Sequence, residues 1–192
     1  FKSNADEIQT FELLNKNILI AGFGRIGKKL ISRCLAFNTK VYIYDPYVDE
    51  KIIKEFGGIK VDKIEDGLKN ADYVSLHMPL TNETKNLINY SVLKNMKKNS
   101  IIVNTARGGI INELELEKAL NEGLIFGAAL DVFSKEPIES NNPLLKNKKI
   151  ILSPHSATFT DECTSRMGIE TTKNIIDFFE NKIDKSMVVK LW

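Results

Sequence analysis

An apolar run, Ile18-Leu19-Ile20-Ala21, ends in Gly22-Phe23-Gly24-Arg25-Ile26-Gly27, three glycines at G-x-G-x-x-G spacing. A helix-length stretch follows, and a second apolar run, Val41-Tyr42-Ile43-Tyr44, ends in Asp45, 18 positions past the last glycine. Strand, tight turn, helix and second strand are the parts of a dinucleotide-binding unit. Gly22 allows the sharp turn, Gly24 lets the backbone approach a pyrophosphate, and Gly27 lets the helix pack close to the strand. The helix start then offers unpaired N–H groups to phosphate. Asp45 is placed to accept both ribose hydroxyls and to repel a 2'-phosphate, which favours NAD over NADP. An ordinary glycine turn is the competing account, and the strand before, the helix after and the acid at its distance weigh against it.

A chain of 192 residues is long enough for one well-buried domain and short for two, so a single core spanning 1–192 is expected. Hydrophobic residues at 43% and charged residues at 27% are ordinary for a globular protein, and a net charge of +2 argues for neither nucleic acid nor a membrane surface as partner. Cys34 and Cys163 each fall on a helical stretch, which fits a reduced, cytoplasmic protein. No apolar run approaches membrane-spanning length. The first residue is Phe1 and not Met, so a fragment of a longer protein is expected.

Residues 1–15 carry Ile8, Phe11 and Leu14 at helical spacing and read as a leading arm or short helix, or as a frayed terminus. Strands are expected at 17–21, 40–44, 59–61, 73–77, 100–104, 126–131 and 149–152. Helices are expected at 25–37, with Ile26, Leu30, Ile31 and Cys34 on the inner face, and at 49–56, 64–69, 91–96, 112–122 and 160–181. Ser91, Asn112 and Thr160 are the expected caps, Asn112 with Glu115 as a capping box. Strands alternating with helices make a doubly wound parallel sheet, the α/β architecture of the Rossmann kind, whose ligands lie beyond the strand C-terminal ends.

The residues just past those ends are therefore the candidates for chemistry: His77, Arg107, Asp131, Glu136 and His155. Arg107 sits on a glycine-rich turn, Glu136 is followed by Pro137, and His155 is one of two histidines in the chain. Singly, each has a structural alternative: a turn residue, a solvated loop acid, a satisfied histidine. Together they match the needs of reducing a 2-keto acid: a cation for the substrate carboxylate, a proton donor for the developing alkoxide, and a carboxylate that keeps the donor charged.

The motifs Gly22-Phe-Gly24-Arg-Ile-Gly27, Thr105-Ala-Arg107-Gly-Gly, Gly127-Ala-Ala-Leu-Asp131-Val-Phe and Pro154-His155 resemble those of the D-isomer-specific 2-hydroxyacid dehydrogenases, the phosphoglycerate dehydrogenase-like group. The likeness runs from about Leu13 to the last helix. It implies an NAD-dependent oxidoreductase with Arg107, Glu136 and His155 as its catalytic set, acting on a D-2-hydroxy acid or 2-keto acid. It further implies that Arg25 and Ile26 meet the pyrophosphate, that Asp45 and the adjoining Pro46 meet the adenosine ribose, and that Met78, Pro79 and Thr84 lie on the adenosine side. Asp131 would hold the nicotinamide amide, and Thr105, Ala106 and the backbone after His155, at Ala157, would line the nicotinamide pocket.

Many members of this group read His-x-Gly where this chain has His155-Ser156-Ala157, and members carry a separate substrate-binding domain, built mostly from preceding residues, that this chain lacks. The chain alone is therefore not expected to turn over, and its last helix, 160–181, is expected to return toward that domain. Glu136 argues against the formate dehydrogenase branch, which places glutamine in that role. The resemblance also implies a homodimer through this domain. A non-catalytic NAD-sensing or dimerising module is the alternative, though it has no need of Arg107, Glu136 and His155 together. Cys163 with His155 as a nucleophile pair lacks supporting features, and no Cys/His spacing suits a metal. His77 either shapes the adenosine pocket or is structural, and Phe178-Phe179 reads as core or interface.

Overall fold

A computed structural model describes residues 10–185 and 188. They fall into two compact units, residues up to His155 and residues from Ser156 onward. In the first unit β1 (Asn17–Ala21), α1 (Arg25–Ala36), β2 (Lys40–Tyr44), α2 (Glu50–Glu55), β3 (Ile59–Lys60), α3 (Ile64–Asn70) and β4 (Tyr73–Leu76) are followed by α4 (Tyr90–Lys94), β5 (Ile101–Asn104), α5 (Glu113–Asn121), β6 (Gly127–Leu130) and β7 (Ile150–Leu152). A 3-10 turn at Pro143–Lys146, not expected from the sequence, precedes β7, with Asn142 Oδ1 accepting the Leu144 N–H. The second unit contains α6 (Asp161–Phe179), capped by Thr160, whose hydroxyl accepts the Cys163 N–H. No helix among the described residues is long and apolar enough to cross a membrane.

All seven strands are parallel, in the order β3-β2-β1-β4-β5-β6-β7. The chain runs outward from β1 to β3, crosses back to β4, and runs outward the other way. A crevice opens at that reversal, beyond the C-terminal ends of β1 and β4. Both faces of the central strands are covered, which is why they are apolar without alternation. Leu19 and Ala21 face a core built with Leu68, Leu76, Leu93, Ile102, Leu116 and Leu120. Ile18 and Ile20 face the other, with Ile31, Cys34, Val41, Ile43 and Ile53. Each of the fully buried Leu and Ile side chains stabilises the fold by about 1.5–3 kcal/mol relative to exposure.

Several local expectations need correction. Ile26 is 64% exposed and not on the inner face of α1, which is made by Gly27, Ile31 and Cys34. The cap of α4 is Asn89, accepting the Val92 N–H at 3.2 Å, and not Ser91, whose hydroxyl instead donates to Asn89 Oδ1. Asn112 caps α5 by accepting the Glu115 N–H, but the box does not close: the Glu115 carboxylate takes the Tyr90 N–H. Residues 10–15 form no helix, only a turn at Leu14–Asn15, and Phe11 packs edge-on against Phe126. Residues 1–9 of the expected arm, Ile8 included, lie outside the described residues.

Candidate functional site

The glycine turn behaves as its spacing demands. Gly22 has φ +98°, and a Cβ there would lie 2.5 Å from the carbonyl oxygen of His77, at the end of the neighbouring strand. A Cβ on Gly27 would lie 2.4 Å from the Gly22 carbonyl oxygen. Gly24 is different: nothing stands within 4 Å of where its Cβ would be. Two glycines thus close the backbone onto itself, and the third leaves open space at the start of α1, where unpaired N–H groups and the positive helix end favour phosphate. This cradle fits a dinucleotide.

Arg25 and Ile26, both exposed, occupy the first two positions of α1 beside that space. Asp45, at the end of β2, is held by two backbone donors: Oδ2 accepts the Phe23 N–H at 2.8 Å and Oδ1 the Tyr47 N–H at 2.9 Å. A carboxylate oxygen has two lone-pair sites, so each has room for one further donor. Between these elements lies a cavity of about 250 Å³, lined by Gly22, Gly24, Asp45, Pro46, Met78, Pro79 and Thr84 among others. The sequence reading missed Tyr44, Tyr47, Thr81, Glu83 and Leu87, which also line it. Thr84 has a structural task as well, donating to the Pro79 carbonyl and accepting the Thr81 N–H, both at 2.7 Å. His77 lines the same cavity, 2.8 Å from the Ser75 hydroxyl, and burial pushes its pKa down.

The other candidates stand along the same edge of the sheet, past β5, β6 and β7. The turn after β5 is built by Asn104, which is 2% exposed: its Oδ1 accepts the Ala106 N–H at 3.0 Å and its Nδ2 donates to the Arg107 carbonyl at 2.9 Å. That closure presents Thr105, Ala106 and the exposed Arg107, whose guanidinium donates one hydrogen bond to the Ala106 carbonyl. No sequence motif pointed to Asn104, because its partners are backbone groups of a turn that forms only after folding. Gly108 fits flush against the next loop, and a Cβ there would lie 1.8 Å from the Phe133 carbonyl oxygen. Arg107 is thereby tied to the segment that carries Glu136.

Glu136 and His155 meet. Glu136 Oε2 lies 2.7 Å from His155 Nδ1, and Glu136 Oε1 accepts the Phe133 N–H at 2.9 Å. The hydrogen bond from His155, then the one from Phe133, hold the Glu136 carboxyl below its ordinary range, while the charge of Asp131 pushes weakly the other way. His155 adopts φ +53°, a left-handed conformation that histidine tolerates better than most residues. With Nδ1 directed at the carboxylate, Nε2 is the nitrogen left to face a substrate. Asp131 is 4% exposed and its Oδ1 accepts a hydrogen bond from the Ser153 hydroxyl at 2.5 Å. Ala157 belongs to the second unit and is exposed.

A family model described as the D-isomer specific 2-hydroxyacid dehydrogenase, NAD binding domain, matches residues 2–157. Among curated relatives, a glyoxylate reductase of Aeropyrum pernix is 41% identical over 92% of this chain and 52% of its own length. A D-3-phosphoglycerate dehydrogenase of Methanocaldococcus jannaschii is 39% identical over 92% of this chain and 34% of its own length. The chain therefore spans between about a third and a half of such relatives. Among solved structures, a D-lactate dehydrogenase from Aquifex aeolicus, complexed with NAD and lactic acid, superposes with a TM-score of 0.84 at 31% identity, covering 94% of this chain and 58% of that one. An all-parallel sheet with a glycine cradle at its reversal point, matched over most of its length by this model and these relatives, places the chain in the D-isomer specific 2-hydroxyacid dehydrogenase family, as its NAD-binding domain.

Proposed function

We propose that the protein carrying this chain is an NAD-dependent oxidoreductase that interconverts a D-2-hydroxy acid and the corresponding 2-keto acid. The observation that carries the reading is the 2.7 Å contact between Glu136 and His155, on the sheet edge that also presents Arg107. NAD, when bound, supplies the hydride chemistry. The chain's own residues supply charge and a proton. The exposed Arg107 guanidinium keeps donors free of its one backbone contact, and these pair with the substrate carboxylate in a two-pronged geometry that fixes the 2-carbon. Glu136 fixes the imidazole with Nδ1–H toward its carboxylate, so that Nε2–H points outward and delivers its proton to the carbonyl oxygen as negative charge develops there. In the reverse direction Nε2 accepts the hydroxyl proton, and the same carboxylate stabilises the resulting imidazolium.

On this reading Gly22, Gly24, Gly27, Arg25 and Ile26 hold the pyrophosphate, and Asp45, Pro46, Met78, Pro79 and Thr84 the adenosine. Thr105, Ala106 and Asp131 surround the nicotinamide. The free thiols of Cys34 and Cys163 support a reducing, cytoplasmic setting. A homodimer through this domain completes the reading, supported by exposed apolar side chains such as Leu114 and Ile151. A purely NAD-sensing module is disfavoured because it has no use for a carboxylate-held histidine.

The test uses the intact protein and a panel of 2-keto acids with NADH. Arg107→Gln and His155→Ala are each expected to lower kcat/KM by about 100-fold or more, the scale of lost charge pairing and general acid catalysis. Variants as fast as the parent would sink the assignment.

A further inference from the structure

Ser153 is a residue that none of the motifs singled out, yet it joins two strand ends of the site. Its N–H donates to the Leu130 carbonyl at 3.0 Å, continuing the β6–β7 ladder one residue past β7. Its hydroxyl donates to Asp131 Oδ1 at 2.5 Å, a charge-assisted contact at the short end of the usual range. Asp131 in turn extends β6 by one residue, its N–H donating to the Asn104 carbonyl at 3.0 Å, beside the turn that presents Arg107. The acid is 4% exposed, and its charge is felt at Glu136. A carboxylate so deeply set keeps a useful orientation only while donors fix its torsion, because rotation about its terminal bond is soft.

Resting on the NAD-site reading above, we propose that Ser153 is a positioning residue for cofactor recognition: its hydroxyl fixes the Asp131 carboxylate in the rotation that accepts the N–H of the nicotinamide carboxamide. Ser153 touches no reacting atom in this scheme. It acts through Asp131, and because it lies two residues before His155 it ties the amide-reading acid to the strand end that carries the proton donor.

Calorimetry on the intact protein tests this with two ligands, NADH and ADP-ribose, the second lacking the nicotinamide. Ser153→Ala should weaken NADH about tenfold, the scale of one charge-assisted hydrogen bond, and leave ADP-ribose unchanged. Ser153→Thr, which keeps the hydroxyl, should bring NADH back to within about threefold of the parent. In an Asp131→Ala background, Ser153→Ala should have no further effect, as expected of residues acting as one unit. Equal weakening of both ligands, an unchanged ratio between them, or additive effects in the double variant would each overturn the proposal. A parent that binds ADP-ribose as tightly as NADH, or an Asp131→Ala variant that keeps the parent's ratio, would instead overturn the assignment of Asp131 on which it rests.

Discussion

Nδ1 of His155 lies 2.7 Å from Oε2 of Glu136, although 19 positions of chain separate them, and the second oxygen of the same carboxylate is held by the Phe133 N–H. The folded-state pKa of Glu136 is thereby depressed. A group of this kind contributes stability that is fully present above the unfolded glutamate value and is lost as pH falls through the lower, folded value. A 13C-detected titration of the Glu136 carboxyl is expected to show a midpoint below that of a solvated glutamate, and Glu136→Gln should remove the matching part of the acid dependence of unfolding. A midpoint at or above the solvated value would mean that the histidine contact does not persist in solution.

Gly22 and Gly24 are two residues apart and should respond in opposite ways to the same change. Gly22→Ala forces a Cβ onto the backbone of His77 and Met78 at φ +98°, and is expected to cost about 2–4 kcal/mol of stability. Gly24→Ala meets only open space, so its melting curve should stay within about 1 kcal/mol of the parent, the scale of a cap change. Its methyl group instead enters the space left for a pyrophosphate, and NAD binding should fall by about tenfold or more, or about 1.4 kcal/mol for each factor of ten. Thermal denaturation beside calorimetry separates the two, and a Gly24→Ala variant with the parent's NAD affinity would remove that glycine from the site.

Asp45 carries a structural role, and on the proposed function a selective one as well. Asp45→Ala leaves the N–H groups of Phe23 and Tyr47 without their acceptor, and the part-buried one at Phe23 should cost about 1–2 kcal/mol of stability. The same change removes the negative charge facing a 2'-phosphate, so the preference for NAD over NADP should narrow. Comparative binding of the two nucleotides checks this, and a parent that binds NADP more tightly than NAD would contradict the role given to this acid.

Asn89 and Ser91 provide a test at the start of α4. Asn89→Ala deletes the side chain that accepts the Val92 N–H and should lower stability by about 1 kcal/mol. Ser91→Ala removes only a contact to Asn89 and should cost clearly less. Urea denaturation of the two variants would reverse this ranking if Ser91 were the true cap.

These caps show where sequence reasoning succeeds and where it stops. β1 and β2 lie where their apolar runs place them, and the glycine spacing located the crevice, because strand periodicity and turn sterics act within a few residues. Asn89 was passed over because Asn89 and Ser91, on either side of Tyr90, are both good caps by residue type, and only the backbone angle of the chain entering the helix chooses between them. Ile26 was assigned inward by helical spacing, yet in the first turn of α1 it is Gly27 that packs against the backbone of Gly22, and Ile26 is left exposed. Glu115 left its capping box because the Tyr90 N–H, 25 positions away, competes for it. Asn104, Ser153 and the two backbone donors on Asp45 share that property: their partners are distant in the chain or belong to the backbone, and no local pattern announces them. Arg107, Glu136 and His155 could be singled out as candidates for the opposite reason, since each lies in the loop after a strand whose end the parallel sheet brings to one edge.

The reversal of strand order between β1 and β4 has a consequence for how such a protein can diversify. Residues that line the nucleotide cavity come from the loops after β1, β2 and β4, whereas Arg107, Glu136 and His155 come from those after β5, β6 and β7. The two groups of loops leave opposite halves of one sheet and share only its rigid middle. On the proposed function, the loops after β5, β6 and β7 can change around Arg107, Glu136 and His155 while the glycine cradle and Asp45, on the pyrophosphate and adenosine side, are inherited intact. A lineage built on this sheet can vary its chemistry without first relearning how to anchor a coenzyme.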